Sequence, residues 1–368
     1  MITHFLLRFV DEITLLNIFK YITVRSVLAG ATAFMLSLCL GPLVIRLLKR
    51  WGYGEKIEKG DSAQLDSLHA SKENTPTMGG LMFLGASLIS IMCWGDLSEP
   101  LLLVGTLVMF LCAAIGFVDD YLKLRKKGGL RGSVKLFLLC LVATGTCLFL
   151  LWLTDTTNHP NYKPYGNLHF PFFKDVSLNL GAFYPLLAVL VFSGTANAVN
   201  LTDGLDGLAI GTFLPLAGAF AMMAYLAGHW NFSEYLFIPF VSGAGELTVL
   251  CAAIMGAGLG FLWFNCHPAE VFMGDTGSLA LGGIIAYVSL VVRQELVLLI
   301  AGGVFVVEAL SVIMQVSSFK LTGKRIFKCS PLHHHYQFLG VAENKITIRF
   351  WIIGIIMALL SLLTLKVR

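Results

Sequence analysis

Residues 101–123 read LLLVGTLVMFLCAAIGFVDDYLK, an apolar run that ends in two adjacent aspartates. The part from Leu101 to Val118 carries no charged side chain, and it is long enough to cross a hydrocarbon core roughly 30 Å thick as an α-helix. A membrane-spanning β-strand would instead alternate apolar and polar residues. This stretch therefore predicts a transmembrane helix with Asp119 and Asp120 at one end.

Similar apolar windows recur along the whole chain. Of the 368 residues, 57% are hydrophobic and 13% are charged, a composition that excludes an ordinary soluble globule. We expect an all-α polytopic integral membrane protein that forms a single domain over residues 1–368, without a nucleic-acid partner. The windows predict ten spans, near residues 24–48, 78–95, 101–118, 134–153, 181–199, 208–228, 247–264, 277–292, 296–318 and 346–365.

Two segments outside these spans have patterns of their own. In residues 2–16 the apolar side chains recur at helical spacing, so residues 1–20 are predicted to form a helix in the membrane interface. A frayed terminus is the alternative. Residues 154–180 carry just two lysines and are predicted to form the main external loop, with a short hairpin as one option.

The basic residues indicate an orientation, because ten spans put both termini on one side and make the loops alternate. Eight lysines and arginines lie on the side of the termini, with Arg25 counted there. Seventeen lie in the other loops, residues 49–77, 119–135, 200–207, 265–276 and 319–349. By the positive-inside rule these loops are cytoplasmic and both termini are periplasmic.

Three acidic clusters lie at span ends on the predicted cytoplasmic side. The first is Asp119-Asp120, with Lys123 one helical turn later. The third, NCHPAEVFMGDTGS at 265–278, contains Asp275. The second, NAVNLTDGLDG at 197–207, has polar residues that in a helix could share one face, namely Asn197, Asn200, Asp203 and Asp206.

These clusters favour a site for a divalent cation and phosphate. Neighbouring carboxylates at a membrane surface repel each other unless a cation or basic side chain neutralises them, and Mg²⁺ prefers one or two carboxylates plus waters and substrate phosphates. Lys72, Lys123 and Lys135 could bind phosphate. Taken singly, Asp-Asp could be a solvated helix end and NLTDG a capped turn, but three clusters on one face favour the site.

Three further features are weaker signals. The run PLHHH at 331–335 could bind zinc, although consecutive histidines cannot easily face one ion, and donation to phosphate or hydroxyl groups is the better interpretation. The stretch HASKENTPTMGG at 69–80 favours an ordinary loop that leads into a helix. Glu308 and Gln315, inside the ninth span, could bond to a neighbouring helix or line the site.

Five motifs taken in order, TPTMGG at 75–80, FVDDY at 117–121, NAVNLTDGLDG at 197–207, VFMGDTGS at 271–278 and PLHHH at 331–335, resemble those of the phospho-N-acetylmuramoyl-pentapeptide transferases. These belong to the polyprenyl-phosphate N-acetylhexosamine-1-phosphate transferase superfamily. The resemblance runs from about residue 20 to the C-terminus. It implies a ten-helix protein of the bacterial inner membrane, often a homodimer, with external termini and a cytoplasmic site.

The resemblance also implies the reaction. The donor would be UDP-N-acetylmuramoyl-pentapeptide, the acceptor undecaprenyl phosphate, and the products the first lipid-linked peptidoglycan precursor (lipid I) and UMP, with Mg²⁺ as cofactor. Direct attack by the lipid phosphate, which Asp119 would deprotonate or orient, is favoured over a covalent aspartyl intermediate. A UDP-N-acetylglucosamine transferase is the nearest alternative function, followed by a secondary transporter and a structural scaffold.

Site residues follow from the same resemblance. Asp275 is the expected Mg²⁺ ligand and Asp203 a second candidate. The expected catalytic residues are Asp119, Asp120, Asp203, Asp275, His333, His334 and His335. The expected substrate-binding residues are Lys72, Thr77, Lys123, Lys135, Asn197, Asn200, Asn265, Phe272 and Gln315, to which Asp206 is added from its spacing. The chain departs from the family at Gln337, where the family usually has glutamate, so Gln337 is given no charge-dependent role.

Overall fold

Long apolar helices dominate the computed structural model, which describes residue 9 and residues 13–51, 75–125, 128–156, 165–173 and 176–366. In chain order its α-helices are α1 (Ile22–Arg50), α2 (Gly80–Trp94), α3 (Pro100–Arg125), α4 (Gly132–Thr156), α5 (Tyr184–Thr202), α6 (Leu208–Ala227), α7 (Trp230–Leu236), α8 (Glu246–Asn265), α9 (Gly274–Val291), α10 (Glu295–Ala301), α11 (Gly303–Thr322), α12 (Leu332–Phe338) and α13 (Glu343–Leu363).

Within these described ranges, nine helices are long and apolar enough to cross a membrane, which confirms the prediction of an all-α polytopic membrane protein. They are α1, α3, α4, α5, α6, α8, α9, α11 and α13. The predicted span at 78–95 corresponds to α2, which has 15 residues. At 1.5 Å per residue α2 rises about 22 Å, less than the thickness of a typical hydrocarbon core.

The ninth predicted span, 296–318, is wrong as a single helix. It consists of α10 and α11, which meet at Gly302. Hydrogen bonds continue through the bend, because the Gly302 N–H donates to the Leu298 carbonyl at 2.8 Å and its own carbonyl accepts from Val306 at 3.0 Å. A hydropathy window registers only apolar character and therefore misses a bend at a glycine pair.

The segments outside the spans differ in how far the structure describes them. Thr14–Lys20 forms a 3-10 helix, whereas most of the predicted interfacial helix lies in residues outside the described ranges. In the predicted external loop, strand β1 (Asn167–His169) pairs antiparallel with β2 (Ser177–Asn179). The Tyr165 hydroxyl donates to the Val291 carbonyl at 3.1 Å, which joins this ribbon to the end of α9.

Helix α9 lies at the centre of the fold, and 89% of its apolar window is buried by the surrounding helices. Its main neighbours are α3 and α5. Helices α1 and α8 form the other close pair, in which a methyl group on Gly256 would overlap the Gly30 carbonyl. Small residues let helices approach this closely where no hydrophobic effect drives them together.

A buried ion pair fixes the first turns of α1 and α8. The Arg25 guanidinium donates from Nη1 to Glu246 Oε2 at 2.8 Å and from Nη2 to Oε1, and Nη1 also donates to the Trp94 carbonyl. The backbone N–H of Asp96 donates to Glu246 Oε2 at 3.0 Å. Since charges in lipid need partners, this network holds the helix ends opposite to those that carry the acidic motifs.

Candidate active site

Four helix ends bring the acidic motifs together. Helix α3 continues to Arg125, beyond the predicted end of its span at 118, so both aspartates of the first cluster lie on its last turns. Asp119 is 1% exposed and Asp120 is 3% exposed. These values exclude the alternative of a solvated helix end. The other ends are the start of α4, the end of α5 and the start of α9.

Two lysines bridge two of these carboxylates. The ammonium group of Lys123 lies 2.9 Å from Asp119 Oδ2 and 2.9 Å from Asp275 Oδ2. The ammonium group of Lys135 lies 2.8 Å from the same Asp119 oxygen and donates to the same Asp275 oxygen. We call these four residues the Asp–Lys cluster. Because it combines carboxylate oxygens with ammonium groups, it suits binding of both a metal ion and phosphate.

Asp120 has a different environment from its neighbour. Its Oδ1 accepts the backbone N–H of Asp275 at 3.1 Å, and its Oδ2 accepts the backbone N–H of Thr276 at 2.9 Å. The Thr276 hydroxyl donates to the same Oδ2 at 2.7 Å. A carboxylate that accepts from the free N–H groups of a first helical turn stabilises that end of the helix. Asp120 thus fixes the start of α9.

Asp275 is positioned by its neighbours on three sides. Gly274 has φ +73°, a conformation that favours glycine, and lets the chain turn into α9. A methyl group on Gly116 would overlap the Asp275 carbonyl, so α3 touches this backbone directly. The Asn200 amide donates to Asp275 Oδ1 at 2.9 Å and to the Ser278 hydroxyl at 2.8 Å.

The TPTMGG segment pairs with the chain just before Asp275. Phe272 donates its N–H to the Pro76 carbonyl at 2.8 Å and accepts from Gly79 at 2.7 Å. Gly80 donates to the Met273 carbonyl at 2.9 Å. This pairing brings Thr77 beside Gly274. Lys72, the other predicted residue of this stretch, lies outside the described residues.

The second acidic cluster does not form one helical face, because α5 ends at Thr202. That expectation for Asn197, Asn200, Asp203 and Asp206 is therefore wrong. Asn197 donates to the Ser193 carbonyl of its own helix at 2.7 Å. Asp203 lies half-buried in the following turn, and Asp206 is 2% exposed in the loop beyond it.

Asp206 belongs to a second polar group. Its Oδ2 accepts from His267 Nδ1 at 2.9 Å and from the Ala269 N–H at 3.2 Å, and its own N–H donates to Glu343 Oε1 at 2.9 Å. The buried Asn265 donates to the Val271 carbonyl at 2.8 Å and accepts from Gly207 at 3.1 Å. These contacts join the loop at 203–207 to the loop before α9 and to α13.

The three histidines of α12 have three different partners. His333 contacts Glu308, and His334 Nδ1 lies 2.8 Å from Gln337 Oε1. His335 Nδ1 accepts the backbone N–H of Lys328 at 3.1 Å. Gln315 accepts from Ile326 and Phe327 and donates to the Phe327 carbonyl, so it braces the loop before the histidines.

Two places could hold a metal ion. In the described part of the chain, one set of three ligand atoms lies mutually within 4.8 Å, those of Asp206, His267 and Glu343. Asp206 and His267 are, however, already hydrogen-bonded to each other. In the Asp–Lys cluster, the buried Asp119 Oδ2 makes no well-aligned hydrogen bond and lies 2.9 Å from the Lys123 ammonium group and 2.8 Å from that of Lys135. This oxygen set fits Mg²⁺, which needs only one or two carboxylates beside phosphate oxygens and water.

Sequence reasoning did not assign several residues that shape this site. Thr276, Ser278 and His267 lie inside the motif at 265–278, and this position is the feature of the sequence that could have identified them. Two others gave no sequence signal, because their roles depend on how distant helices meet. They are the backbone N–H of Leu130, which donates to Asp119 Oδ1, and Glu343 at the start of α13.

Two comparisons with known families cover this region. A model described as glycosyl transferase family 4 matches residues 102–293, more than half of the chain. Residues 72–84 match phospho-N-acetylmuramoyl-pentapeptide-transferase signature 1. The first match contains all four residues of the Asp–Lys cluster, and the second contains the segment that pairs with the start of α9.

Proposed function

The chain belongs to glycosyl transferase family 4 and is a membrane sugar-1-phosphate transferase that acts on polyprenyl phosphate, and we propose that its donor is UDP-N-acetylmuramoyl-pentapeptide and its acceptor undecaprenyl phosphate. The products are then lipid I and UMP. The Asp–Lys cluster carries this proposal, because it offers carboxylate oxygens and two ammonium groups at one place. The signature match at 72–84 supports the muramoyl branch.

The protein must bring two anions together. Lys123 and Lys135 each contact both Asp119 and Asp275, so their charge is available where phosphate groups would meet. Asp275 would hold Mg²⁺, with Asp203 as a second candidate ligand. When bound, Mg²⁺ neutralises the diphosphate and stabilises the leaving UMP.

We favour direct attack. An oxygen of the lipid phosphate forms a bond to the sugar-linked phosphorus, and the bond from that phosphorus to UMP breaks. A phosphate monoester has a second pKa near 6, so it is mostly dianionic at neutral pH and needs little base catalysis. Asp119 then orients the acceptor, and positioning supplies much of the rate. Both oxygens of Asp119 are already engaged, Oδ1 by the Leu130 N–H and Oδ2 by the two lysines, which supports this role over that of a covalent nucleophile.

We further propose that the chain is one catalytic domain of the bacterial inner membrane with its site facing the cytoplasm. The excess of lysine and arginine in the loops on the same predicted side as the acidic motifs, above all 49–77, 119–135 and 319–349, supports this orientation. The aspartates of the three acidic motifs lie at helix ends or in the adjoining loops and not at mid-span. This argues against a transporter, where such groups are expected near the membrane midplane.

A product assay tests the donor and the metal. Purified protein is given undecaprenyl phosphate with radiolabelled UDP-N-acetylmuramoyl-pentapeptide or UDP-N-acetylglucosamine, with Mg²⁺ or with a chelator. We expect labelled lipid and UMP from the muramoyl donor only, and none with chelator. Lipid product from the glucosamine donor alone would contradict the proposal.

Two matched variants separate the candidate metal places. Asp275→Asn should abolish the Mg²⁺-dependent reaction, whereas Glu343→Gln, in the Asp206 group, should keep the dependence on Mg²⁺ concentration. The reverse pattern would place the metal at Asp206. Sugar-phosphate label that stays covalently on the protein when acceptor is omitted would overturn direct attack.

A further inference from the structure

A buried carboxylate makes two contacts with the first histidine of α12. Glu308 on α11 and His333 are both 0% exposed. Glu308 Oε1 accepts the backbone N–H of His333 at 3.1 Å, and Oε2 lies 3.2 Å from His333 Nδ1. The two contacts come from one planar carboxylate, so they fix both the backbone and the ring of His333.

The contact between Glu308 and Nδ1 determines which ring nitrogen of His333 carries the proton. A carboxylate can only accept, so Nδ1 must be the N–H that donates to it. In the neutral ring Nε2 then has a free lone pair and acts as an acceptor. The other two histidines differ, because His335 Nδ1 accepts from a backbone N–H and His334 faces the amide of Gln337.

His333 Nε2 is buried and makes no hydrogen bond. It points at Gly204, where the methyl group of an alanine would overlap it. Gly204 follows Asp203 in the loop between α5 and α6. A buried polar atom without a partner is costly, so a donor that reached Nε2 would supply the bond that the ring lacks. Because the ring is 0% exposed and lies against Gly204, the loop at 203–207 must shift to admit that donor.

We propose that Glu308 is a positioning residue for the transfer reaction, holding His333 so that Nε2 accepts a hydrogen bond from an O–H or N–H group of the uridine nucleotide. This inference rests on the proposed function for the identity of the nucleotide. It makes His333 an acceptor, in contrast to the role of phosphate donor that the histidine run suggested. Partners that orient a functional histidine in this way are well known around metal-binding histidines.

A double-mutant cycle tests the coupling in the transfer assay. Glu308→Gln keeps the size of the side chain, but its amide has a single oxygen. It therefore cannot accept from both the backbone N–H and the Nδ1–H of His333 as the two carboxylate oxygens do. We expect it to lower kcat/KM for the nucleotide roughly 10- to 100-fold, with KM for the lipid unchanged. Added to His333→Ala, it should cause no further loss, because its effect passes through that ring.

Controls distinguish this role from a structural one. Ser311→Ala, which removes a hydroxyl that donates to the Glu308 carbonyl one turn away, should stay within about twofold of the native rate. Gly204→Ala should reproduce the loss without touching α11. If the effects of Glu308→Gln and His333→Ala multiply, or if Glu308→Gln is as active as the native protein, the proposal is wrong.

A spectroscopic test does not require turnover. In full-length protein labelled with ¹⁵N-histidine, the nine histidines give ring-nitrogen signals. The signals of His333 are identified as those that are missing from the spectrum of His333→Ala. We expect the Nδ1–H form, a shift of Nε2 on addition of UMP, and mixed forms in Glu308→Gln. An Nε2–H or doubly protonated ring, or no response to UMP, would overturn the inference. A protein that shows the expected signals but makes no lipid product would instead contradict the proposed function.

Discussion

Asp120, near the end of α3, accepts two hydrogen bonds from Thr276 in the first turn of α9, one from the backbone N–H at 2.9 Å and one from the hydroxyl at 2.7 Å. The adjacent Asp119 instead faces Lys123 and Lys135. Two aspartates that are neighbours in sequence thus serve different purposes, one in fixing a helix and one in balancing charge.

Asp120→Asn should therefore destabilise the protein more than Asp119→Asn does. The Asp120 carboxylate accepts three hydrogen bonds through two oxygens, whereas the asparagine amide has only one oxygen and cannot accept all three. Loss of a bond to a charged group costs about 1.5–3 kcal/mol. Thermal unfolding in detergent measures this difference. Asp119→Asn should instead lose activity while its unfolding temperature stays close to that of the native protein. Equal destabilisation by the two variants would argue against this division of roles.

Lys135→Gln should alter the dependence on Mg²⁺. Removing one ammonium group leaves Asp119 and Asp275 less neutralised, so half-maximal activity should need roughly fivefold less Mg²⁺, equivalent to ~1 kcal/mol of charge interaction. The maximal rate should fall, because phosphate loses a cation. A Mg²⁺ titration of UMP release measures both effects. Arg131→Gln, an exposed charge just before α4, is the control and should leave the titration unchanged.

Asn200→Ala should reduce the rate roughly 10- to 100-fold, in the range found when partners that orient a ligating side chain are removed. The amide bonds directly to Asp275 and to Ser278. Ser278→Ala should have a smaller effect, since it removes only one of those contacts. Steady-state rates of the two variants provide the comparison, with Ser193→Ala, whose hydroxyl bonds within α5, as control. A larger effect of Ser278→Ala would contradict the assignment.

Stability should fall as the pH rises towards 7, because of Glu295 between α9 and α11. Burial raises the pKa of Glu295 to about 7, which Tyr184 and Arg293 only partly oppose. Between the unfolded pKa near 4.5 and this value, the native state binds more protons than the unfolded state. The free energy of unfolding therefore decreases over that window, by up to ~3 kcal/mol, and levels off above it.

Unfolding temperatures of the native protein and Glu295→Gln, measured from pH 5 to pH 8, check this expectation. The native protein should lose stability relative to the variant as the pH rises. The exposed Glu234 provides the control variant Glu234→Gln, which should run parallel to the native protein. Parallel curves for Glu295→Gln as well would show that the buried carboxyl does not titrate in this range.

The sequence predicts features that depend on local pattern. Apolar length identified the helices that cross the membrane, and the motif around Asp275 identified a residue that does contact Lys123 and Lys135. The helical spacing from Asn197 to Asp206 was misleading, because NLTDGLDG contains two glycines and ends α5 at Thr202. Periodicity alone cannot show where a helix stops.

Other features depend on tertiary contact and lie beyond such patterns. Nothing local to Asp120 indicates that both of its oxygens are taken by the start of a helix more than 150 residues later. Glu308 was identified as unusual in a membrane helix, but its partner His333 becomes clear only when α11 and α12 are seen together. The bend at Gly302 arises from glycines that hydropathy does not register.

The bridging lysines of the Asp–Lys cluster act as built-in counterions. Among the described residues, its two carboxylates and that of Asp120 outnumber its two ammonium groups by one. A phosphate that arrives without a cation therefore adds to an existing excess of negative charge. Each lysine is already engaged by protein carboxylates and must exchange those partners for phosphate oxygens. We therefore expect the nucleotide to bind together with its cation or after it. Cation and nucleotide together preserve electroneutrality, and nucleotide alone does not.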